Sequence, residues 1–373
     1  MKKFFPAVLA LAFYVVGNSQ ENYLIVGTYT TGKSQGIYVY RFNSGTGNVD
    51  SVSMIKTVNP SFLAVSPNER FVYAVNETSN KGDGGRVSAF SFNKSNGQLT
   101  FINQQHSAGD DPCYVSVDKT DKWIAIANYT SGTMSVLPID KNGGLDAAST
   151  SIQHMGKGVD KERQEGPHVH CTIFSKDNKY LFATDLGLDK IVIYPFDERN
   201  GAVDKGKSAS VSTQPGTGPR HLTFHPNNKF AYLMEEMGGI VSAYQYSAGK
   251  LKLIQNISSL PAGYKGEIGS ADIHVSADGK FLYASNRDAS NTIAIFKIDP
   301  QTGKLTSIGH QSVLGKTPRN FNFDPSGKFL LVGDQNSDQI VIFSINKDTG
   351  LLSDTGKRIN VGQPVCIKWI STK

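Results

Sequence analysis

Along most of the chain, apolar and polar residues alternate in short runs, and Gly, Pro, Asn and Asp separate the runs. Period-two alternation predicts half-buried β-strands, and the separators predict turns. No long amphipathic helical pattern, linker or low-complexity tract stands out. Laid on itself, the chain shows a repeat. Six segments open with Pro (Ser in one case), continue as an alternating strand, pass a Pro/Asp-Asn/Gly-Lys turn and end in an aromatic-rich strand. They are Pro60–Glu77, Pro112–Tyr129, Pro167–Leu186, Pro219–Glu236, Ser270–Arg287 and Pro318–Gln335. Their starts lie roughly 50 residues apart, the size of a four-stranded propeller blade.

Within one unit, strand a is Arg220–Phe224, strand b Phe230–Glu235, strand c Ile240–Tyr246 and strand d Leu251–Ser258, the last following a Gly-bearing hairpin turn. A small sheet with two apolar faces cannot bury them alone, so such units stack into a ring. The chain ends supply a further unit. Tyr23–Tyr29, Gly36–Asn43 and Val49–Val58 match strands b, c and d, and Pro364–Ile370 matches the missing strand a. The expected fold is therefore all-β: a seven-bladed β-propeller over 21–373, closed by a C-terminal strand that completes the N-terminal blade and leaves no open edge.

Composition narrows the function classes. The 373 residues include 37 Gly, 20 Phe and 15 Tyr, as many turns and strands require. The net charge of +6 is spread over repeated solvated turns such as Pro226–Lys229, so no nucleic-acid partner is expected. Lys2 and Lys3, the apolar run Phe4–Gly17 and the small residues before Gln20 predict a secretory signal over 1–20 and an exported chain with no stable membrane insertion after cleavage. The alternative is an uncleaved anchor, although the run is short for a span of about 20 residues. Cys113, Cys171 and Cys366 fit no metal spacing and fall in inner strands, where small core residues belong. No disulfide framework, cofactor or metal is expected, and a monomer is.

Strand a of each blade lines the channel, and the loops entering a and leaving b open on one face. The first residues of a and the last of b then converge on one mouth. The a-start positions are Ser61, Cys113, His170, Arg220, Ala271, Arg319 and Val365; the b-end positions are Tyr29, Glu77, Tyr129, Leu186, Glu236, Arg287 and Gln335. Charges crowded there are costly unless they pair or serve a ligand. Arg220, Arg287 and Arg319 offer forked donors for a carboxylate or phosphate, and Glu236 and His170 offer a base and an acid. His168, two residues earlier on the same strand, is expected to face the same way. One position inside the b-end, Asn76, Asn128 and Asp185 are further candidates for binding substrate. His221 is expected to turn into the blade packing, and His106, His154, His225, His274 and His310 lie outside these positions. The charged connection 153–166, long for a compact ring, is marked as functional.

These residues also carry a resemblance. Gly218-Pro219-Arg220-His221, Phe224-His225-Pro226-Asn227, Val26–Thr30, His170 ahead of Ser175–Asn178, and Phe281–Arg287 resemble the lactonase propeller family, which includes propeller-type 6-phosphogluconolactonases and carboxy-muconate lactonizing enzymes. The resemblance covers the chain after residue 22. It implies hydrolysis of a sugar-acid lactone, with the family's His, two Arg and Glu falling on His170, Arg220, Arg287 and Glu236. Where the family usually has Val-Asn-Glu, this chain has Met234-Glu235-Glu236, so Glu235 is expected to alter Glu236 or the substrate preference. The rival readings are a muconate-type lactonizing isomerase, a propeller that holds a sugar acid or other small anion without turnover, and a protein scaffold.

Overall fold

The computed structural model describes residues 21–79 and 84–373; the predicted signal lies outside them. Seven antiparallel sheets form the ring. In blade five, Pro219–Phe224, Phe230–Glu235, Ile240–Ser247 and Lys250–Ser258 pair in chain order as strands a to d. Strand b is buried at all six positions, because it has a sheet neighbour on each side and a blade on each face. Strand d, at the rim, is mostly exposed or half-buried, with only Leu251 buried. Among the described residues, helix is confined to two 3₁₀ turns, Lys205–Lys207 and Gln335–Ser337.

Closure follows the sequence reading. Pro364–Ser371 pairs antiparallel with Glu21–Thr28, which pairs with Gly36–Asn43 and then Asn48–Lys56. A variant ending at Asn360 would expose the Tyr23–Val26 edge and half of each adjoining core. We expect it to be recovered as aggregate, and a monomer with full-length far-ultraviolet circular dichroism would contradict this closure.

A repeated contact between blades explains the glycines of the c–d turns. The aromatic near the start of strand b packs onto the turn glycine of the next blade. Tyr23 meets Gly97, Phe71 meets Gly143, Phe230 meets Gly303 and Phe281 meets Gly350, and Phe329 on Gly47 joins the last blade to the first. These glycines have φ between 71 and 83°, and any Cβ there would enter the ring opposite. Several of these seams also carry a tyrosine hydroxyl donating to the turn, as in Tyr283 to Gly350 O at 2.6 Å.

A second repeated feature positions the channel. In six blades the a–b register slips near the mouth. In blade five Pro219 faces Glu235 and His221 faces Met234, so Arg220 is the extra residue of a β-bulge. A bulge breaks the period-two alternation, and Arg220 and His221 both turn into the channel. The expectation that His221 turns into the blade packing is thereby corrected: its ring meets Phe62, Tyr114 and His170 across the channel.

Candidate active site

The mouth holds a cavity of about 460 Å³ lined by Glu77, Cys113, Tyr129, Arg163, His170, Glu236, Arg287 and Arg319, with Ile268 and Asp288 at its rim. Each b-end residue is fixed by its own backbone. Glu236 N–H donates to Gly218 O at 2.7 Å, Arg287 N–H to Gly269 O at 3.0 Å and Tyr129 N–H to Asp111 O at 3.0 Å. These bonds hold the side chains over the channel before any ligand arrives.

Glu236 is the hub. Its Oε2 accepts from Arg220 Nε at 2.9 Å and lies 3.1 Å from Arg287 Nη2; its Oε1 accepts from Arg163 Nη2 at 2.7 Å. Burial opposes ionisation of this carboxyl, but Arg287 and Arg220, with the Arg163 hydrogen bond, outweigh it and hold Glu236 well below the usual carboxylate range. His170 Nε2 stands 4.0 Å from Glu236 Oε2, too far for a direct hydrogen bond. Its Nδ1 is 3.7 Å from the Cys113 sulfur. Burial first, then Arg220 and His221, push His170 well below its ordinary value despite Glu236, so the imidazole is neutral at pH 7. Burial also keeps the Cys113 thiol protonated.

A smaller cluster faces the hub. Glu77 accepts from Tyr29 Oη at 2.8 Å and from the Ser61 hydroxyl. Arg319 lies over the Tyr29 ring with Nη2 3.9 Å from Glu77. Arg319 is thus charged but not bound edge-on to a carboxylate, which leaves donors for a ligand.

Below the hub, Arg220 Nη1 donates to Ala271 O at 2.7 Å and meets His221 Nε2 at 3.1 Å. His221 Nδ1 meets Asp272 Oδ1 at 2.8 Å. A guanidinium can only donate, so His221 accepts on Nε2 and carries its proton on Nδ1. Burial and Arg220 lower His221 to about 4, consistent with that neutral tautomer. Asp272 also accepts from Asn320 Nδ2 at 2.5 Å and from the Ile273 amide at 3.0 Å, and meets His274 Nε2 at 2.9 Å. Asp272, His221 and Arg220 form a buried relay that fixes the hub from beneath.

The structure therefore brings His170, Arg220, Glu236, Arg287 and Arg319 together. His168 stands behind the mouth. Its ring stacks on Tyr129 at 4.5 Å, Nδ1 meets Tyr129 O at 3.0 Å, and Nε2 lies 3.3 Å from Glu165, so it supports Tyr129 and does not line the cavity. Asn76, Asn128 and Asp185 correct the expectation that they bind substrate. One residue before the b-end, strand alternation turns them away from the channel. Asn76 donates to Val58 O at 2.6 Å and Asn128 to Ser107 O at 3.0 Å, both on the loop entering strand a of its own blade. Asp185 meets His154 Nδ1 at 2.7 Å and accepts from the His168 amide at 2.8 Å. Glu235 shares this orientation. It accepts from the Ser242 hydroxyl and makes no contact in the mouth, so its expected influence on Glu236 is not seen as a contact.

Sequence reasoning did not single out Arg163 or Asp272. The first lies in the long connection it had marked. The second follows Ala271, where the broken alternation conceals a channel-facing carboxylate.

Comparison with known proteins agrees with this architecture. The family model described as lactonase, 7-bladed β-propeller matches residues 23–369. A Bacillus subtilis protein named 6-phosphogluconolactonase is 36% identical over 349 residues, covering 92% of this chain and 97% of the relative. A Formosa agariphila protein of the same name is 38% identical, covering 88% of this chain and 94% of the relative. A solved Pseudomonas aeruginosa structure described as a periplasmic gluconolactonase superposes with a TM-score of 0.89 at 36% identity, covering 95% of this chain and all of that one. The ring of seven blades, the polar mouth and these full-length matches lead to one statement: the chain belongs to the seven-bladed β-propeller lactonase family.

Proposed function

We propose that this protein hydrolyses a sugar-acid lactone of the 6-phosphogluconolactone type at the mouth cavity. The observation that carries the reading is the pairing of a neutral His170 with an ionised Glu236 beside several guanidiniums in one cavity. The 4.0 Å gap between His170 Nε2 and Glu236 Oε2 suits a water that donates to both. That water attacks the ring carbonyl and passes a proton to His170. Glu236, too strongly held as an anion to be a good base, stabilises the imidazolium that forms. Arg287 and Arg319 receive the developing oxyanion. As the ring C–O bond breaks, His170 returns the proton to the ring oxygen. The sugar acid then ionises, and one proton is released per turnover.

Proton release from 6-phosphogluconolactone and from unphosphorylated gluconolactone, against the uncatalysed rate, is the direct assay. A base must be unprotonated, and His170 has a lowered pKa, so kcat/KM should stay level from pH 8 down past 6.5 and fall only below that. A drop centred near 6.5 or above would exclude His170 as the base.

We also read the chain as exported and acting as a monomer on a small anionic substrate. Among the described residues no helix is long and apolar enough to cross a membrane. The basic and apolar start of the chain supports the exported reading, which favours lactones available outside the cytosol. Recovery of a full-length, unprocessed chain in the cytosolic fraction would contradict it.

A further inference from the structure

The two oxygens of Glu236 have unequal company. Oε2 is held by Arg220 and Arg287, which are themselves tied to backbone: Arg220 Nη1 to Ala271 O at 2.7 Å, Arg287 Nε to Gly269 O at 2.9 Å and Nη2 to Ser270 O at 3.2 Å. Among the described residues Oε1 accepts from Arg163 alone, and the same Nη2 also reaches Tyr129 Oη at 3.2 Å. The Arg163 side chain is 47% exposed, against 2% for Arg220 and 13% for Arg287. It is the mouth arginine carried by a connection between blades and not by a blade.

That connection is built, not slack. Gln164 is fully buried, donates from Nε2 to Leu186 O at 2.8 Å and accepts the amides of Val159 and Asp160 on Oε1. Asp160 Oδ1 accepts the amides of Glu162 at 2.9 Å and Arg163 at 2.8 Å. The backbone of Arg163 is thus pinned while its guanidinium overhangs the cavity.

We propose that Arg163 determines substrate specificity by leaving Glu236 for the distal anionic group of the substrate, so that the mouth selects lactones carrying a phosphate or carboxylate away from the ring carbonyl. This rests on the lactonase reading. An arriving phosphate or carboxylate takes the place of the Glu236 carboxylate, so the guanidinium stays paired throughout, and its fork suits either group. The buried Arg220 and the backbone-tied Arg287 have no such freedom. The exchange also takes one cation from Glu236 as substrate seats, which makes that carboxylate a better partner for a charged His170.

Calorimetry of wild type, Arg163→Gln and Arg163→Lys with 6-phosphogluconate, glucarate and gluconate tests this without turnover. Wild type should bind at least one of the two distal-anion acids about tenfold or more tighter than gluconate, and which one shows whether phosphate or carboxylate is preferred. Arg163→Gln should weaken that acid by about 10- to 100-fold and gluconate by less than about threefold, with partial recovery in Arg163→Lys. Equal loss for all three acids, no loss, or no preference in wild type would overturn the assignment. In kinetics, Arg163→Gln should collapse the preference for the phosphorylated or acidic lactone through KM. If the acids bind as expected but no lactone is opened, the lactonase reading fails and the Arg163 assignment stands. If lactones are opened and the variant keeps the wild-type preference, the Arg163 assignment fails alone.

Discussion

Glu236→Gln is expected to lower kcat/KM, on whichever lactone the protein opens, by about two to four orders of magnitude. The change is nearly isosteric, so the loss reports charge. An amide cannot stabilise the imidazolium that His170 becomes, and it leaves the guanidiniums of Arg163, Arg220 and Arg287 without their shared anion. Arg220 is the critical one. It is among the largest fully buried side chains of the protein, and removing one partner of such a pair costs about 3–5 kcal/mol. The variant should therefore lose stability as well as rate. Arg220→Gln should do the same by leaving Glu236 buried with fewer cations. The double variant separates the two effects. Its stability should be closer to wild type than the sum of the singles by about 1–3 kcal/mol, while its rate stays low. Denaturant titrations of the four proteins measure the coupling. His170→Asn completes the set: His170 is uncharged and makes no short charged contact, so its loss should cost rate far more than stability. If Glu236→Gln keeps the wild-type rate, the hub is only a structural ion-pair cluster.

The second large effect lies away from the mouth. Asp334 occupies the strand-b position that Asn76, Asn128 and Asn286 hold in other blades. Those amides donate to the loop entering strand a of their own blade, as Asn286 does to Ser259 O at 2.7 Å. Asp334 is fully buried, and neither of its oxygens meets a donor among the described residues. The nearby Gln339 amide is committed to Leu314 O at 3.2 Å. Gly315 passes so close that a Cβ there would collide with the carboxylate. Burial, opposed weakly by Gln339 and Arg358, raises the Asp334 pKa to about 8. The sign follows from linkage. The folded state prefers the protonated acid, whereas the unfolded chain ionises near 3.9. The stability that Asp334 contributes is therefore fully present below about pH 4 and is lost steadily as pH rises to about 8. The difference between the folded and unfolded chain amounts to roughly 5 kcal/mol at the alkaline end. Asp334→Asn supplies the missing donor and removes the charge. It should raise Tm by roughly 5–10 °C at pH 8.5 and by little at pH 4, flattening the pH dependence between them. Equal Tm values for both proteins at pH 8.5 would show that the carboxylate finds solvent or a cation.

The blades were legible because one rule repeats. Each unit carries the same alternating strands, the same turn and the same b-strand aromatic, so an error in one blade is exposed by the other six. The mouth was legible for the same reason, since aligned ends must converge once the ring closes. Where the period-two rule breaks, the reading broke with it. The bulges after Pro219 and Ser270 placed His221 and Asp272 in the channel, and strict alternation could not show that. The same alternation, applied one residue inside the b-end, would have turned Asn76, Asn128 and Asp185 away. Arg163 was out of reach because a connection between blades has no repeat to align it.

The most direct test of the proposed chemistry is a crystal structure of the protein with 6-phosphogluconate. The C1 carboxylate of that acid is expected at hydrogen-bond distance from Arg287 or Arg319, beside His170 Nε2, inside the mouth. The acid seated on another face, or a mouth left empty at saturating concentration, would contradict it.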